Sequence, residues 1–465
     1  MTFWPLLLEI ALIGGYVLAG LGLIDMLRHR RSPGSTMAWL IVFIGLPYLG
    51  TGAYLFFGRR KSSTLRTQRI RPAPCTNHNT HDTSPIGFAR VLTHYGANSP
   101  TTQNHVSLCR DGQQGLATLL ALIDGAKHRL WLETFIFADD PTGQTVRDHL
   151  AARAAAGVDV RVLIDGLGSF KTSTLFFTPL IEAGGHLATF KPVLTLPFHL
   201  KTNLRNHRKL VVADGVHSFA GGMNITHADL FSATTANTWQ DVSLHIKGPA
   251  AADLEATFIR DWQYATGDTL STTPCETHTP AASPDVSNQV VQLLTTGPDT
   301  ANDPLYAASL TAIHRATDRI WLTTPYFVPN EALADALTFA AHRGVDVRIL
   351  IPRRSNHPLT DFAGAALLRD IHKAGARVLR YRPGMMHAKT MLIDHTFAAV
   401  GSANFDYRSL FLNYELMQFC YDPLTLDSLA DWFTQLSQQC DDDLPNPSLI
   451  RQLAEGVVRA IAPMF

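Results

Sequence analysis

The chain has little of what would mark a disulfide scaffold, a zinc protein or a polyanion binder. Its five cysteines, Cys75, Cys109, Cys275, Cys420 and Cys440, are odd in number, scattered, and never form a C-x-x-C pair. They read as reduced thiols in a cytosolic setting, which excludes a disulfide frame and a cysteine zinc site. There is no excess of either charge, with 39 Lys and Arg against 39 Asp and Glu. A general nucleic-acid binder carries a basic surplus, and no basic stretch interleaved with aromatics suggests a stacking surface. No cluster of Asp and Glu has the look of a metal cradle. No basic region precedes the first apolar run, so a cleaved signal peptide fits poorly.

What is present at the N-terminus is apolar. Phe3 to Leu27 is interrupted only by Glu9 and Asp25, and Met37 to Phe57 forms a second run containing Pro47. Each is about the 20 residues that a bilayer crossing takes, which predicts a transmembrane helical hairpin over 1–60. The basic turn from Arg28 to Arg31 joins the runs, and Arg59, Arg60, Lys61, Arg66 and Arg69 follow them. The larger basic flank predicts a multi-pass membrane protein with the remainder cytoplasmic. Glu9 is either functional or shallow enough to reach the headgroups. Polar stretches at 61–104 and 267–288 read as linkers. They divide the rest into 105–266 and 289–465.

These two parts repeat one another. Arg129-Leu130-Trp131-Leu132-Glu133-Thr134 is echoed by Arg319-Ile320-Trp321-Leu322-Thr323-Thr324, and Gly157-Val158-Asp159-Val160-Arg161 by Gly344-Val345-Asp346-Val347-Arg348. Alanine-rich helical patterns over 146–156 and 331–342 precede the second echo. Strands alternating with helices imply an α/β fold with a buried sheet. Trp131 and Trp321 read as core, whereas Glu133, opposite Thr323, serves either a site or the sheet.

The most informative repeat is His207-x-Lys209-x4-Asp214 followed by Gly221-Gly222-Met223-Asn224. It returns 180 residues later as His387-x-Lys389-x4-Asp394 followed by Gly401-Ser402-Ala403-Asn404. In a strand, residues two apart share a face, so each histidine stands beside a lysine. Two imidazoles with two fixed cations suit a two-step displacement at phosphorus: one attacks, the other protonates the leaving alcohol. Lys209 and Lys389 would neutralise the phosphoryl oxygens, assisted by Asn224, Asn404 and Ser402. The scheme calls for no metal and no other cofactor. Asp214 and Asp394 belong to the pattern either as catalytic groups or as caps of the turn after the strand. Packing about a pseudo-twofold axis would bring the two histidines together.

With these motifs the sequence resembles the phospholipase D superfamily, and within it the bacterial cardiolipin synthases. The narrower likeness rests on Thr324-Pro325-Tyr326-Phe327-Val328-Pro329, on Gly401 to Ser409, on Leu412-Asn413-Tyr414-Glu415, and on the N-terminal Arg31-Ser32-Pro33 and Tyr54 to Gly58. The resemblance implies two tandem α-β-α sandwich domains. It implies transfer of a phosphatidyl group from one phosphatidylglycerol to another, giving cardiolipin and glycerol through a phosphohistidine, with His207 as nucleophile by the superfamily's order. Phospholipids and the membrane would then be its partners, and nucleic acid would not; no oligomeric state follows. The superfamily's acidic residue downstream of each histidine is matched by Asp241 for His207 and by Glu415 for His387. Arg208, Arg353, Arg354 and Arg408 are candidates for headgroup phosphate or for ordinary surface arginines. The amphipathic segment Leu449 to Phe465 is expected to pack on the second domain rather than on a membrane. A hydrolase with water as acceptor, a nuclease of the same superfamily and a non-catalytic membrane scaffold are the rival readings.

Overall fold

A computed structural model of the chain describes residues 3–28, 33–58, 87–192, 204–233, 235, 238–270, 288–300, 303–444 and 446–461. The basic turn at 29–32, the basic flank from Arg59 to Arg69, most of both expected linkers, and Cys75 and Cys275 lie outside those residues.

Each half contributes seven principal strands. In the first half they are β1 (Thr101–Cys109), β2 (Arg129–Thr134), β3 (Asp159–Asp165), β4 (His186–Phe190), β5 (Leu210–Ala213), β6 (His217–Gly221) and β7 (Ser243–Lys247). The second half has β8 (Gln289–Thr296), β9 (Arg319–Thr323), the short β10 (Phe327–Val328), β11 (Asp346–Pro352), β12 (Arg377–Tyr381), β13 (Thr390–Ile393), β14 (Phe397–Gly401), the short β15 (Phe405–Asp406), β16 (Glu415–Cys420) and the short β17 (Cys440–Asp441). Fifteen of them form one continuous sheet in the order β17-β12-β11-β9-β13-β14-β16-β8-β1-β7-β6-β5-β2-β3-β4. Read outward from the β8–β1 seam, β1-β7-β6-β5-β2-β3-β4 and β8-β16-β14-β13-β9-β11-β12 are the same arrangement. The expected pseudo-twofold therefore runs through the seam.

Helices cover both faces, as an α-β-α sandwich requires. On β2, Leu130 and Leu132 enter one core with helices Gly112–Gly125 and Pro141–Ala155, while Trp131 enters another with Phe258 and Trp262 of helix Ala250–Thr266. The period-two alternation of Ile320, Trp321 and Leu322 does the same in the second half. The repeated Asp-Val-Arg now has a physical reason. Trp131 Nε1 donates to Asp159 at 3.1 Å and Trp321 Nε1 to Asp346 at 2.9 Å. The same carboxylates accept from Arg161 at 3.0 Å and Arg348 at 2.9 Å. A core tryptophan keeps its N–H satisfied through a neighbouring parallel strand.

Two expectations need correcting. The first linker is not all linker. Helix Gly87–His94 drives Phe88, Ala89 and Leu92 into the core of the second half, where Phe88 stacks on Phe397 at 4.4 Å. Strand β1 also begins at Thr101, inside that range. The second apolar run is not one helix either. Pro47, which has no N–H to continue a ladder, starts a new helix, leaving Pro33–Gly45 and Pro47–Phe57 with 13 and 11 residues. At 1.5 Å per residue these reach about 20 and 17 Å, short of a bilayer's apolar thickness. Within Phe3–Leu27, Glu9–Leu27 is long and apolar enough to cross a membrane, and only 22% of that window is buried. The two-span hairpin is not confirmed: among the described residues one helix of spanning length has two short ones packed beside it.

At the other end, helix Leu449–Ile461 packs on helix Pro358–Lys373 through Glu455, which takes Arg369 and Arg451. This is the expected domain packing on one face; the helix also lies against helix Pro33–Gly45 and leaves Leu449, Ile450 and Leu453 exposed.

Candidate active site

Both His-x-Lys segments lie where their half meets the other. Backbone N–H of His207 donates to Tyr414 O at 2.9 Å, and that of His387 to Gln240 O at 2.8 Å. Each motif enters its strand by bonding to the opposite half, so the seam fixes both histidines.

The carboxylates cross the seam as well. His207 Nδ1–H faces Glu415 Oε2 and the Ser402 carbonyl, each at 3.1 Å. His387 Nδ1 lies 2.7 Å from Asp241 Oδ2. The pairing expected from the superfamily was the reverse, with each acid serving the histidine upstream of it. The sheet explains the exchange. Gly221 pairs with Ser243 and Gly401 with Met417, which makes Asp241 and Glu415 equivalent positions at the mouths of equivalent strands. Both point over the axis. Because the Nδ1 partners of His207 are acceptors, Nδ1 carries the hydrogen and Nε2 keeps its lone pair.

The Gly-rich turns make room for this. A Cβ on Gly222 would sit 2.2 Å from Asp241 Oδ1, and one on Gly401 would sit 2.1 Å from Leu416 O. Any side chain at Gly222 would displace the carboxylate that holds His387. Ser402 follows, but its hydroxyl donates to Glu415 Oε2 at 2.5 Å and accepts Leu416 N at 3.0 Å. It therefore fixes the carboxylate rather than facing substrate, which corrects its expected role in binding phosphate. Asn413 Nδ2 takes the other oxygen, Glu415 Oε1, at 3.2 Å.

The lysines and asparagines are nearly or fully buried. Lys209 Nζ donates to His207 O at 2.6 Å; Lys389 Nζ donates to His387 O and lies 3.6 Å from Asp241 Oδ2. Asn224 Nδ2 donates to Asp229 at 3.4 Å and Asn404 Nδ2 to Asp406 at 3.1 Å, each amide keeping a second N–H for a ligand. Aromatic rings wall the imidazoles, Phe135 against His207 and Trp239 against His387, both with centroids 4.9 Å apart.

Burial sets the charges. Desolvation lowers His207 to about 4 although Glu415 opposes it, with Lys209 adding to the depression. Lys209 falls to about 7, first through burial and further through Lys389, against the pull of Glu415. Burial also lowers Lys389. For Glu415 and Asp241 burial pushes upward, yet the neighbouring cations and imidazoles win, and both stay below the usual carboxylate range. At neutral pH the site thus holds a neutral His207, two carboxylates, and lysines whose positive charge an anionic phosphodiester would reinforce.

Asp214 and Asp394 are elsewhere. Asp214 accepts from the backbone N–H of Lys127, His128 and Arg129 at 2.8 to 2.9 Å, and Asp394 from those of Asp318 and Arg319 at 2.8 and 2.9 Å and of Thr317. Both residues have left-handed φ, 55° and 47°. They stand five residues beyond their lysine, past a four-residue strand, about 16 Å at 3.3 Å per residue, and cap the turn into β2 or β9. Of their two expected roles, the structure supports the cap and not chemistry. Arg208, a headgroup candidate, is fully buried against Asp261, Thr296 O and Glu415 O. Glu133 serves the same buried cluster, accepting from Asn206 Nδ2.

One site residue escaped the sequence. Asp229 lies five residues after Asn224, whereas its counterpart Asp406 lies two after Asn404, so aligning the repeat hides the match. Asp229, Asp241 and His387 present ligand atoms within 4.8 Å of one another, a spacing a cation can use. Lys389 already supplies a positive charge there, which argues against a metal in the same space.

Fold and geometry together define an enzyme of the phospholipase D type. Residues 119–262 and 310–437 match the family described as cardiolipin synthase, PLD-like domain, and 17–59 match a phospholipase D-nuclease N-terminal family. Over its full length the chain is 33% identical to the whole of the major cardiolipin synthase of Bacillus subtilis (strain 168). It is 32% identical to the cardiolipin synthase of Alkalihalophilus pseudofirmus, over 94% of this chain and 90% of that one. A crystal structure of phosphatidylserine synthase from Haemophilus influenzae superposes with a TM-score of 0.62 at 16% identity, covering 81% of this chain and 98% of that chain, and so shares the fold. The chain belongs to the cardiolipin synthase family of the phospholipase D superfamily.

Proposed function

We propose that the protein joins two phosphatidylglycerol molecules into cardiolipin with release of glycerol. The observation that carries this reading is the pair of histidines held across one seam, each with a carboxylate from the opposite half. In the first step His207 Nε2 attacks phosphorus, the bond to the glycerol oxygen breaks, and His387 gives that oxygen a proton. In the second, the hydroxyl of another phosphatidylglycerol loses its proton to His387 and displaces His207. His207 suits the nucleophile's part because burial keeps it neutral, its value lowered to about 4. Lys209, Lys389, Asn224 and Asn404 would gather the phosphoryl oxygens while charge builds on them.

The apolar N-terminal helix indicates a membrane-anchored protein. We place both catalytic halves on the cytoplasmic side of the bacterial inner membrane, supported by the basic residues Arg59, Arg60 and Lys61 after the last apolar helix.

The test is to incubate the detergent-solubilised protein with phosphatidylglycerol alone and to follow lipid products and glycerol together. One cardiolipin per glycerol is expected, and His207→Ala should make neither. Phosphatidic acid with glycerol and no cardiolipin would make water the acceptor and overturn the synthase reading.

A further inference from the structure

The two half-sites are not electrostatic equals. Among the described residues, a single carboxylate lies within 4.0 Å of His207, that of Glu415 at 3.1 Å. Two lie that close to His387: Asp241 Oδ2 at 2.7 Å and Asp229 Oδ1 at 3.3 Å. Asp229 is buried, and its Oδ1 makes no hydrogen bond. Its other oxygen is engaged, accepting Thr226 Oγ1 at 2.8 Å and Asn224 Nδ2 at 3.4 Å. One end of this carboxylate is tethered to its own loop while the other is aimed, unpartnered, at the imidazole.

The pseudo-twofold equivalent behaves differently. Asp406 holds Asn404 Nδ2 at 3.1 Å, but its second oxygen caps a short helix by accepting Ser409 N at 2.8 Å. Asp229 and Asp406 thus share the task of holding the asparagine, and only Asp229 has an oxygen left over. Lys389, its Nζ 2.9 Å from His387 Nδ1, gives the buried pair Asp229 and Asp241 one positive charge; a second, on the imidazole, balances the oxygen that is still unpaired. The charged groups around His387 are Asp241 and Asp229 from the first half and Lys389 from its own strand. Lys209 and Glu415 act on Lys389 and the acids from across the seam, and the Trp239 ring lies tilted against the imidazole.

We propose that Asp229 is a positioning residue for His387: a second carboxylate that closes on Nδ1–H when the imidazolium forms, so that His387 is the histidine that holds and delivers the proton. The repeated site is in this way divided into a neutral partner and a proton-holding one. The step conserves charge and atoms: the proton travels from His387 Nε2 to the departing alkoxide and returns from the incoming alcohol. Asp229 neither gains nor loses one.

This rests on the phosphatidyl transfer proposed above, so the test compares leaving groups. Full-length protein in detergent micelles would be given phosphatidylglycerol, whose alkoxide must be protonated, and phosphatidyl-p-nitrophenol, whose phenolate leaves unaided. Asp229→Asn should slow the first about 10- to 100-fold and the second less than threefold. Asp229→Glu, which retains the charge, should restore part of the selectivity, and this also guards against a fold defect in the asparagine variant. Thr226→Val, which loses the tether but keeps the carboxylate, should show no leaving-group discrimination. Equal losses on both esters, or a Thr226→Val variant that reproduces the Asp229→Asn pattern, would reduce Asp229 to a loop tether and overturn the inference. Loss of wild-type activity to a chelator, restored by a divalent cation, would overturn it too, by assigning the cluster to a metal. Wild-type inertness toward phosphatidylglycerol, with p-nitrophenyl ester still turned over, would instead fail the substrate reading; the selectivity of the variants can then be read on alkyl and p-nitrophenyl phosphodiesters.

Discussion

Glu415→Gln is the substitution that most directly probes a site built across a seam. The side chain keeps its shape and loses one charge 3.1 Å from His207, in a fully buried setting. An opposite charge at this range moves a titration by about one to three units, and each unit is worth 1.36 kcal/mol. The rate of phosphohistidine formation should therefore fall between about tenfold and a thousandfold. The pH profile should move with a defined sign. In kcat/KM, which reports the free enzyme, activity rises as His207 loses its proton near pH 4 and falls as Lys209 loses its own near pH 7. Glu415 raises both groups, so without it both limbs move to lower pH. The acid limb passes below the range in which the enzyme can be assayed, and the alkaline limb falls below 7. The assay is kcat/KM across pH on mixed micelles, combined with quench-trapping of the labelled covalent adduct from an activated phosphatidyl ester. With that ester, Asp241→Asn should still form adduct at close to the wild-type rate, since no acid is needed. A Glu415→Gln enzyme that forms adduct as fast as wild type, with its alkaline limb unmoved, would refute the crossed assignment.

Two further expectations concern stability. Asp394→Ala removes a carboxylate that accepts backbone N–H groups from Asp318 and Arg319 and leaves a left-handed backbone behind. It should lower stability by about 3 kcal/mol, seen as a lower midpoint in urea, while the folded fraction keeps a kcat within a few-fold of wild type; a thousandfold loss of kcat at full stability would return Asp394 to the chemistry. Phe88→Ala should destabilise by about 3–5 kcal/mol despite its place ahead of the first strand, because Phe88 stacks on Phe397 in the second half. An unchanged midpoint would mean that the helix Gly87–His94 is only loosely docked.

The fold was largely legible because duplication doubles every signal. Period-two strands around Trp131 and Trp321, and two His-x-Lys segments in one register, are each weak alone and decisive as a pair. What stayed hidden were contacts that join distant parts of the chain. The order of Asp241 after His207 and of Glu415 after His387 suggests service within one half, and only the sheet order shows that equivalent strands reach over the axis. Asp229 was missed because the loop after Asn224 is longer than that after Asn404, so no alignment of the repeat exposes it. The helix at Gly87–His94 was concealed by a polar, proline-containing neighbourhood that reads as linker. Pro47 did carry a local signal, a missing N–H in the middle of an apolar run, and it marks the break between two helices. Asp214 and Asp394 illustrate the opposite limit. A residue can belong to a recurring pattern because a turn needs it, without approaching the reaction.

The seam also governs when the enzyme comes into being. The first half leaves the ribosome with His207, Lys209 and Asn224 in place, yet the carboxylate that orients His207 lies 208 residues further on. Chains emerge at about 5–20 residues per second, so this half waits roughly 10 to 40 seconds for Glu415. During that interval its histidine has a nucleophile's position without its orienting acid, and Asp241 waits for His387 in the same way. Strand β1 meanwhile presents one edge that only β8 will cover. Synthesis and activation therefore coincide: a truncated chain should be inert toward the membrane lipids around it, and completing the last strands of the sheet switches both half-sites on together.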